Sequence, residues 1–131
     1  MFKSIKDKKV LITGASGCIC SCMALLFAEY GANVGIHYNV GENESTILVD
    51  KIKKMGADGA AFQADLTKES SKSIIPSVIN HFGGLDILIN NAGAAIGPKD
   101  ILDMDEDSWD KTFWLNTRAP FFLAQNAFKH M

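Results

Sequence analysis

Along this chain, short runs in which nearly every residue is apolar alternate with longer segments in which apolar residues return every third or fourth position. The runs 9–13, 33–38, 60–64 and 85–89 have the pattern of strands covered on both faces, the third being the weakest. Between them the spacing predicts a helix over 18–30 carried by Ile19, Met23, Leu26, Phe27 and Tyr30 and stopped by Gly31. A second is expected over 44–55, ending before Gly56, with Ile47, Leu48, Ile52 and Met55 on its inner face. A third is expected over 68–82, with Ile74, Ile75, Val78 and Ile79 inward, Pro76 disturbing its first turns and Gly83-Gly84 ending it. From Asp107 onward the pattern is again helical, led by Trp109, Phe113 and Leu115, with Pro120 bending it near the middle.

Strands that alternate with helices in this way form a parallel, right-handed, doubly wound α/β sheet, here with the order 3-2-1-4. The length of 131 residues suits one domain. Composition narrows the partners. Thirteen basic against fifteen acidic residues leave a charge of -2, and the lysines are scattered, so a nucleic-acid role has little support. No apolar run approaches the ~20 residues of a membrane span, and the charged start Met1–Lys6 does not read as a signal peptide, so a cytoplasmic location is expected. Cys18, Cys20 and Cys22 are too close together for a disulfide framework. On a helix Cys20 points about 200° away from Cys18, so the three thiols do not converge on a metal. They read as small helix-lining residues, and no metal is expected.

The stretch "VLITGASGCICSC" joins the first strand to the first helix. A helix that begins beyond the carboxyl end of such a strand offers unpaired N–H groups and a positive dipole end, which suit a pyrophosphate. Three further stretches stand at matching places: "ADL" after the third strand, "NNAG" after the fourth and "LNT" in the last helix. Together they resemble the N-terminal half of the short-chain dehydrogenase/reductase family, in essentially all of the chain from Lys8 onward. In general look the chain is similar to bacterial 3-oxoacyl-(acyl-carrier-protein) reductases and glucose 1-dehydrogenases.

The resemblance implies a Rossmann-like, dinucleotide-binding domain over residues 1–131, cut off after about four strands, with NADP or NAD as cofactor and a small carbonyl compound as the parent enzymes' substrate. The family's turn is T-G-x-x-x-G-x-G. Thr13 and Gly14 match it, Cys18 and Cys20 occupy its other glycine positions, and Gly17 stands one place early. By resemblance, Thr13, Gly14, Ser16, Gly17, Cys18 and Ile19 border the cofactor at the turn, and Tyr38 and Asn39 border it after the second strand. Asp65 and Leu66 would lie at the adenine, Asn90, Ala92 and Gly93 at the ribose, and Asn116 would be the helix asparagine of the catalytic tetrad. Each has a local reading as well: Asp65 as a helix cap, Asn90 and Asn91 as turn formers, Asn116 as an exposed helix residue. An acid at the end of the second strand would favour a free ribose 2′-hydroxyl, and Tyr38-Asn39-Val40 has none, which leans toward NADP.

The family's acid/base tyrosine is followed four residues on by a lysine. Tyr30 and Tyr38 are the only tyrosines, and the residues four on are Val34 and Glu42. The expectation is therefore a truncated, inactive form of a hydride-transferring oxidoreductase. His37 and His81 are expected away from the cleft and His130 at the terminus. A sulfur at Cys18 would press on the pyrophosphate path and one at Cys20 would wedge the first helix off its strand, weakening binding by roughly 1–3 kcal/mol. At a helix N-terminus Cys18 could instead be a reactive thiol. The fourth strand would be an exposed edge, and with Phe121, Phe122, Leu123 and Phe128 it offers a surface for self-association. The competing expectation is a non-catalytic nucleotide-binding or protein-interaction module.

Overall fold

Strands that are apolar at consecutive positions need cover on both sides, and the chain supplies it with helices before and behind one sheet. The computed structural model describes residues 5–15, 17–97 and 100–131. Strands β1 (Lys9–Ile12), β2 (Asn33–Tyr38), β3 (Gly59–Gln63) and β4 (Ile87–Ile89) are all parallel and lie in the order β3-β2-β1-β4, as the alternation predicts. Val10 pairs with Val34 on one side and Ile87 on the other, so β1 is central and the site-forming strand ends converge around it.

Pleating sends alternate β1 residues to opposite layers. Val10 and Ile12 pack with Val34 and Ile36 under helices α1 (Cys18–Glu29) and α2 (Glu42–Lys54). Leu11 faces the other layer, built by α3 (Ile74–Phe82) and α5 (Ala119–Phe128) through Ile75, Val78, Leu123 and Ala127. The strands are found where the pattern places them, with ends differing by one or two residues.

The buried faces of α1 and α2 differ from the expectation. On α1 the large residues Ile19 and Leu26 are 74% and 52% exposed, and Tyr30 is exposed too, while the row Cys20, Ala24 and Ala28 is buried against the sheet. Four-residue spacing puts these three small side chains on one line, which lets the helix approach the strands closely. Cys20 therefore takes a place in the core beside Val10 and Ile12 and does not wedge the helix off its strand. On α2 the inner face is Ser45, Leu48, Val49 and Ile52, with Ile47 and Met55 at 56% and 44% exposure.

Ser45 is fully buried and its hydroxyl has no hydrogen-bond partner. A buried hydroxyl without a partner costs desolvation free energy, and alanine is the better helix former. Ser45→Ala is expected to raise stability by about 0.5–1 kcal/mol, read as a higher urea midpoint.

The two prolines act where they were expected, by different devices. The segment before α3 is a 3-10 helix, Glu69–Ser73, so the α-helix begins later than the spacing suggests, and Pro76 falls in its first turn, where amides lack partners anyway. Ahead of Pro120 the long terminal helix splits into α4 (Glu106–Phe113), a π-helical turn (Trp114–Arg118) and α5. The Ala119 N–H reaches back five residues to the Trp114 carbonyl, the widened winding that adapts a helix to an imposed break. Among the described residues, no helix is long and apolar enough to cross a membrane.

Candidate functional site

The carboxyl ends of β1, β2, β3 and β4 open on one side of the sheet, and the site is built from the loops that leave them. Thr13, directly after β1, is buried. Its hydroxyl accepts the N–H groups of Asn91 and Ala92, both at 3.0 Å, and donates to the Ile89 carbonyl at 3.3 Å. The Asn91 amide returns a bond to the Thr13 carbonyl at 3.3 Å. Thr13 thereby ties the glycine turn to the Asn90-Asn91-Ala92-Gly93 loop from below.

Gly14 has φ +69°, and a Cβ there would stand 2.9 Å from the Ala92 Cα, so the position needs both the left-handed backbone and the missing side chain. Its N–H donates to Nδ1 of His37 at 3.1 Å, and Nε2 of His37 meets the Ala64 carbonyl at 3.0 Å. With Nδ1 accepting, the ring proton belongs on Nε2, which donates to Ala64. Burial holds the His37 pKa below its ordinary value, partly opposed by the bond to Ala64. The imidazole is neutral and spans three strand ends.

After β3, Asp65 Oδ1 accepts from the Thr67 N–H at 2.9 Å and the Thr67 hydroxyl at 2.6 Å, while Lys68 lies 3.5 Å from Oδ2. The Thr67 hydroxyl chiefly, and Lys68 less, keep the Asp65 carboxyl below the usual carboxylate range. Asp65 thus shapes its own loop and does not cap a helix. In the π-helical turn, Asn116 Nδ2 donates to the carbonyls of Ala94 and of Thr112, each at 2.7 Å. It holds the strand-four loop against the terminal helix.

These loops enclose a cleft of about 710 Å³, within the roughly 300–1,000 Å³ common for small-molecule sites. Of the expected residues, Gly14, Gly17 and Ile19 line it at the turn and Asn39 after β2. Asp65 and Leu66 line it after β3, and Ala92 and Gly93 after β4. Thr13 lies beneath as a brace, and Asn116 braces the loop from outside. Tyr38 is not part of the lining, and the Asn90 side chain turns away to the Pro120 carbonyl at 3.4 Å. Ser16 and the side chain of Cys18 lie outside the described residues. His37, expected away from the cleft, is in its wall. Strand alternation carried that signal: if Asn39 faces the cleft, His37 faces it too and Tyr38 does not.

The entrance of α1 suits an anion. Its N-cap is Gly17, which has no side chain to bond the first-turn amides, and the first turn holds no acid. No lysine or arginine lines the cleft among the described residues, so backbone amides and the dipole would carry the attraction. Cys20 contributes a buried wall, its sulfur 4.0 Å from the Thr13 carbonyl and its thiol pKa pushed up by burial. The residues present fit a dinucleotide: a shaped cleft, a glycine turn under a close loop and a helix end with glycine at its cap and no acid in its first turn.

Comparison with known proteins agrees with this geometry. The family model for short chain dehydrogenases matches residues 8–131. A hydroxynaphthalene reductase-like protein, Arp2, of Metarhizium guizhouense is 38% identical over 131 residues, covering 98% of this chain and 48% of the relative. The short chain dehydrogenase mdpC of Emericella nidulans is 35% identical over 128 residues, with 97% and 48% covered. Among solved structures, NADH-dependent reductase A1-R′ complexed with NAD superposes with a TM-score of 0.92 at 34% identity, over 99% of this chain and 54% of that one. A short chain dehydrogenase from Burkholderia cenocepacia in complex with NADP gives 0.92 at 33% identity, with 97% and 52% covered. The chain spans about half the length of the curated relatives it matches.

Proposed function

Because the chain belongs to the short-chain dehydrogenase family, we propose that its 131 residues serve as the dinucleotide-binding domain of an NAD(P)-dependent oxidoreductase acting on a carbonyl or alcohol carbon. The observation that carries this reading is the glycine-capped, acid-free N-terminus of α1 opening into a cleft formed by all four strand ends. In this reading the first-turn amides receive the pyrophosphate, Asp65 and Leu66 border the adenine, and Ala92 and Gly93 border a ribose. Asn116 is the tetrad's helix asparagine, and its two bonds set the loop beside the nicotinamide end. The bound nicotinamide supplies or accepts the hydride. Since these residues hold no Tyr-x-x-x-Lys pair, the segment binds the cofactor and is inactive in hydride transfer on its own. A cytoplasmic location belongs to the same proposal.

The absence of an acid at Tyr38-Asn39-Val40 favours NADP, yet a 2′-phosphate meets no lysine or arginine in the cleft lining. The two effects oppose each other, and the expected preference for NADPH stays within about tenfold, or ~1.4 kcal/mol. A second reading, association through a surface, is favoured by β4, which among the described residues pairs on one side only, and by Phe121 and Phe128, which are exposed on α5.

The test is a titration of the purified chain with NADPH and NADH, followed by nicotinamide fluorescence, with Cys18→Gly alongside. Saturable binding of both, without oxidation of either by carbonyl compounds, is the expected result, and Cys18→Gly should bind more tightly. A folded chain and a folded variant that both leave the fluorescence unchanged would remove the cofactor reading and leave the interaction module.

A further inference from the structure

We infer that His37 is the positioning residue of the glycine turn: its neutral imidazole holds the Gly14 amide and the Ala64 carbonyl at once, and the shape of the cleft depends on that ring staying unprotonated. For its effect on cofactor affinity the inference rests on the dinucleotide reading above; for the turn itself it rests on geometry alone.

His37 is 2% exposed, with Nδ1 3.1 Å from the Gly14 nitrogen and Nε2 3.0 Å from the Ala64 oxygen. The backbone of the same residue is engaged as well, its carbonyl accepting the Ala15 N–H at 2.9 Å. One residue of β2 therefore fixes two consecutive amides of the turn after β1 and the start of the loop that carries Asp65. A protonated imidazole has an N–H on both nitrogens. Its Nδ1–H would face the Gly14 N–H, donor against donor, and the bond that seats the turn would be lost.

Among the described residues, the surrounding groups leave the ring without a counter-charge. Of their described side chains, the turn after β1 and the loop after β4 put none that ionises in the cleft lining. From α1 comes Cys20, whose thiol burial keeps protonated, and from the loop after β3 comes Asp65, whose carboxylate is taken up by Thr67 and Lys68. Burial lowers the His37 pKa from the ordinary value of 6.5. The sign follows. Above 6.5 the ring is neutral folded or unfolded and the full stability is present; as pH falls from there toward the lower folded value, the unfolded chain gains a proton first and stability is lost.

The experiment has two arms on the whole chain. In the first, nitrogen NMR follows the histidine ring nitrogens and the Gly14 amide from pH 8 to pH 5. The expected result is a neutral Nε2–H tautomer at His37 that persists below the ordinary value of 6.5, with the Gly14 amide moving only when His37 does. Titration of His37 at or above 6.5, or a Gly14 amide indifferent to it, overturns the inference. In the second arm, NADH affinity is measured over the same range for the natural chain and for His37→Asn, which keeps an acceptor and a donor but no proton to gain. Affinity of the natural chain should weaken toward tenfold per pH unit below the His37 pKa, while the variant stays flat. Equal slopes, or tighter binding on acidification as a simple positive charge near an anion would give, also overturn it. Failure to bind NADH at pH 8 would count against the dinucleotide reading, with the NMR arm still deciding the role of His37.

Discussion

Gly14→Ala is expected to destabilise the protein by about 2–5 kcal/mol and to abolish dinucleotide binding. At φ +69° an alanine enters the left-handed region, at about 1–2 kcal/mol. The new methyl would then sit 2.9 Å from the Ala92 Cα, a contact that only backbone movement relieves, and overpacking of that kind adds about 1–3 kcal/mol. The nearest obstacle is main chain of the adjoining loop after β4, which also lines the cleft, so the movement that relieves it is movement of the site. Urea denaturation followed by circular dichroism reads the first effect as a lower midpoint with an unchanged slope, and NADPH fluorescence reads the second. A variant as stable as the natural chain would show that the turn can open without cost.

The second large effect is expected for Thr13→Val, at about 1.5–3 kcal/mol. Valine keeps the shape and removes the hydroxyl that accepts from Asn91 and Ala92. Asn91 retains a bond to the Ile89 carbonyl at 3.1 Å, so the main loss is the partner of the Ala92 amide, together with the hydroxyl's own bond to Ile89. Leaving a half-buried donor without a partner costs more than the bond it replaces contributes. Thr13→Ser, which keeps the oxygen, should stay within about 1 kcal/mol of the natural chain in the same urea experiment, and equal losses in both variants would show that the methyl and not the hydroxyl matters.

Much of this fold is legible because its strands are apolar without interruption and its helices are closed by glycines. Four such runs between helical segments leave few topologies, and the order β3-β2-β1-β4 is the one observed. The helix faces were harder to read, since weighing positions by hydrophobicity favours Ile19, Leu26, Ile47 and Met55. The sheet instead selected residues by size and line, Cys20, Ala24 and Ala28 on α1 and a row that includes the polar Ser45 on α2. The 3-10 and π-helical turns leave no periodic trace, only the prolines beside them. At the site, Gly14, Asp65 and Gly93 are legible as motif positions. The role of Thr13 as an acceptor beneath the loop and of His37 as a bridge required knowing which amides lack partners, which no spacing records.

The π-helical turn at Trp114–Arg118 also changes what the terminal helix presents along its length. In an uninterrupted α-helix, twelve residues would carry Phe121 about 120° round the axis from Trp109. A turn closed by a bond five residues back takes up one extra residue, or about 100° of that rotation. Trp109, Phe113 and Phe121, all exposed, thus come close to a single meridian of the rod. The winding that seats Asn116 against Ala94 is the same winding that gathers three aromatic rings into one ridge, so the inner loop and the outer surface of this helix are set by a common phase.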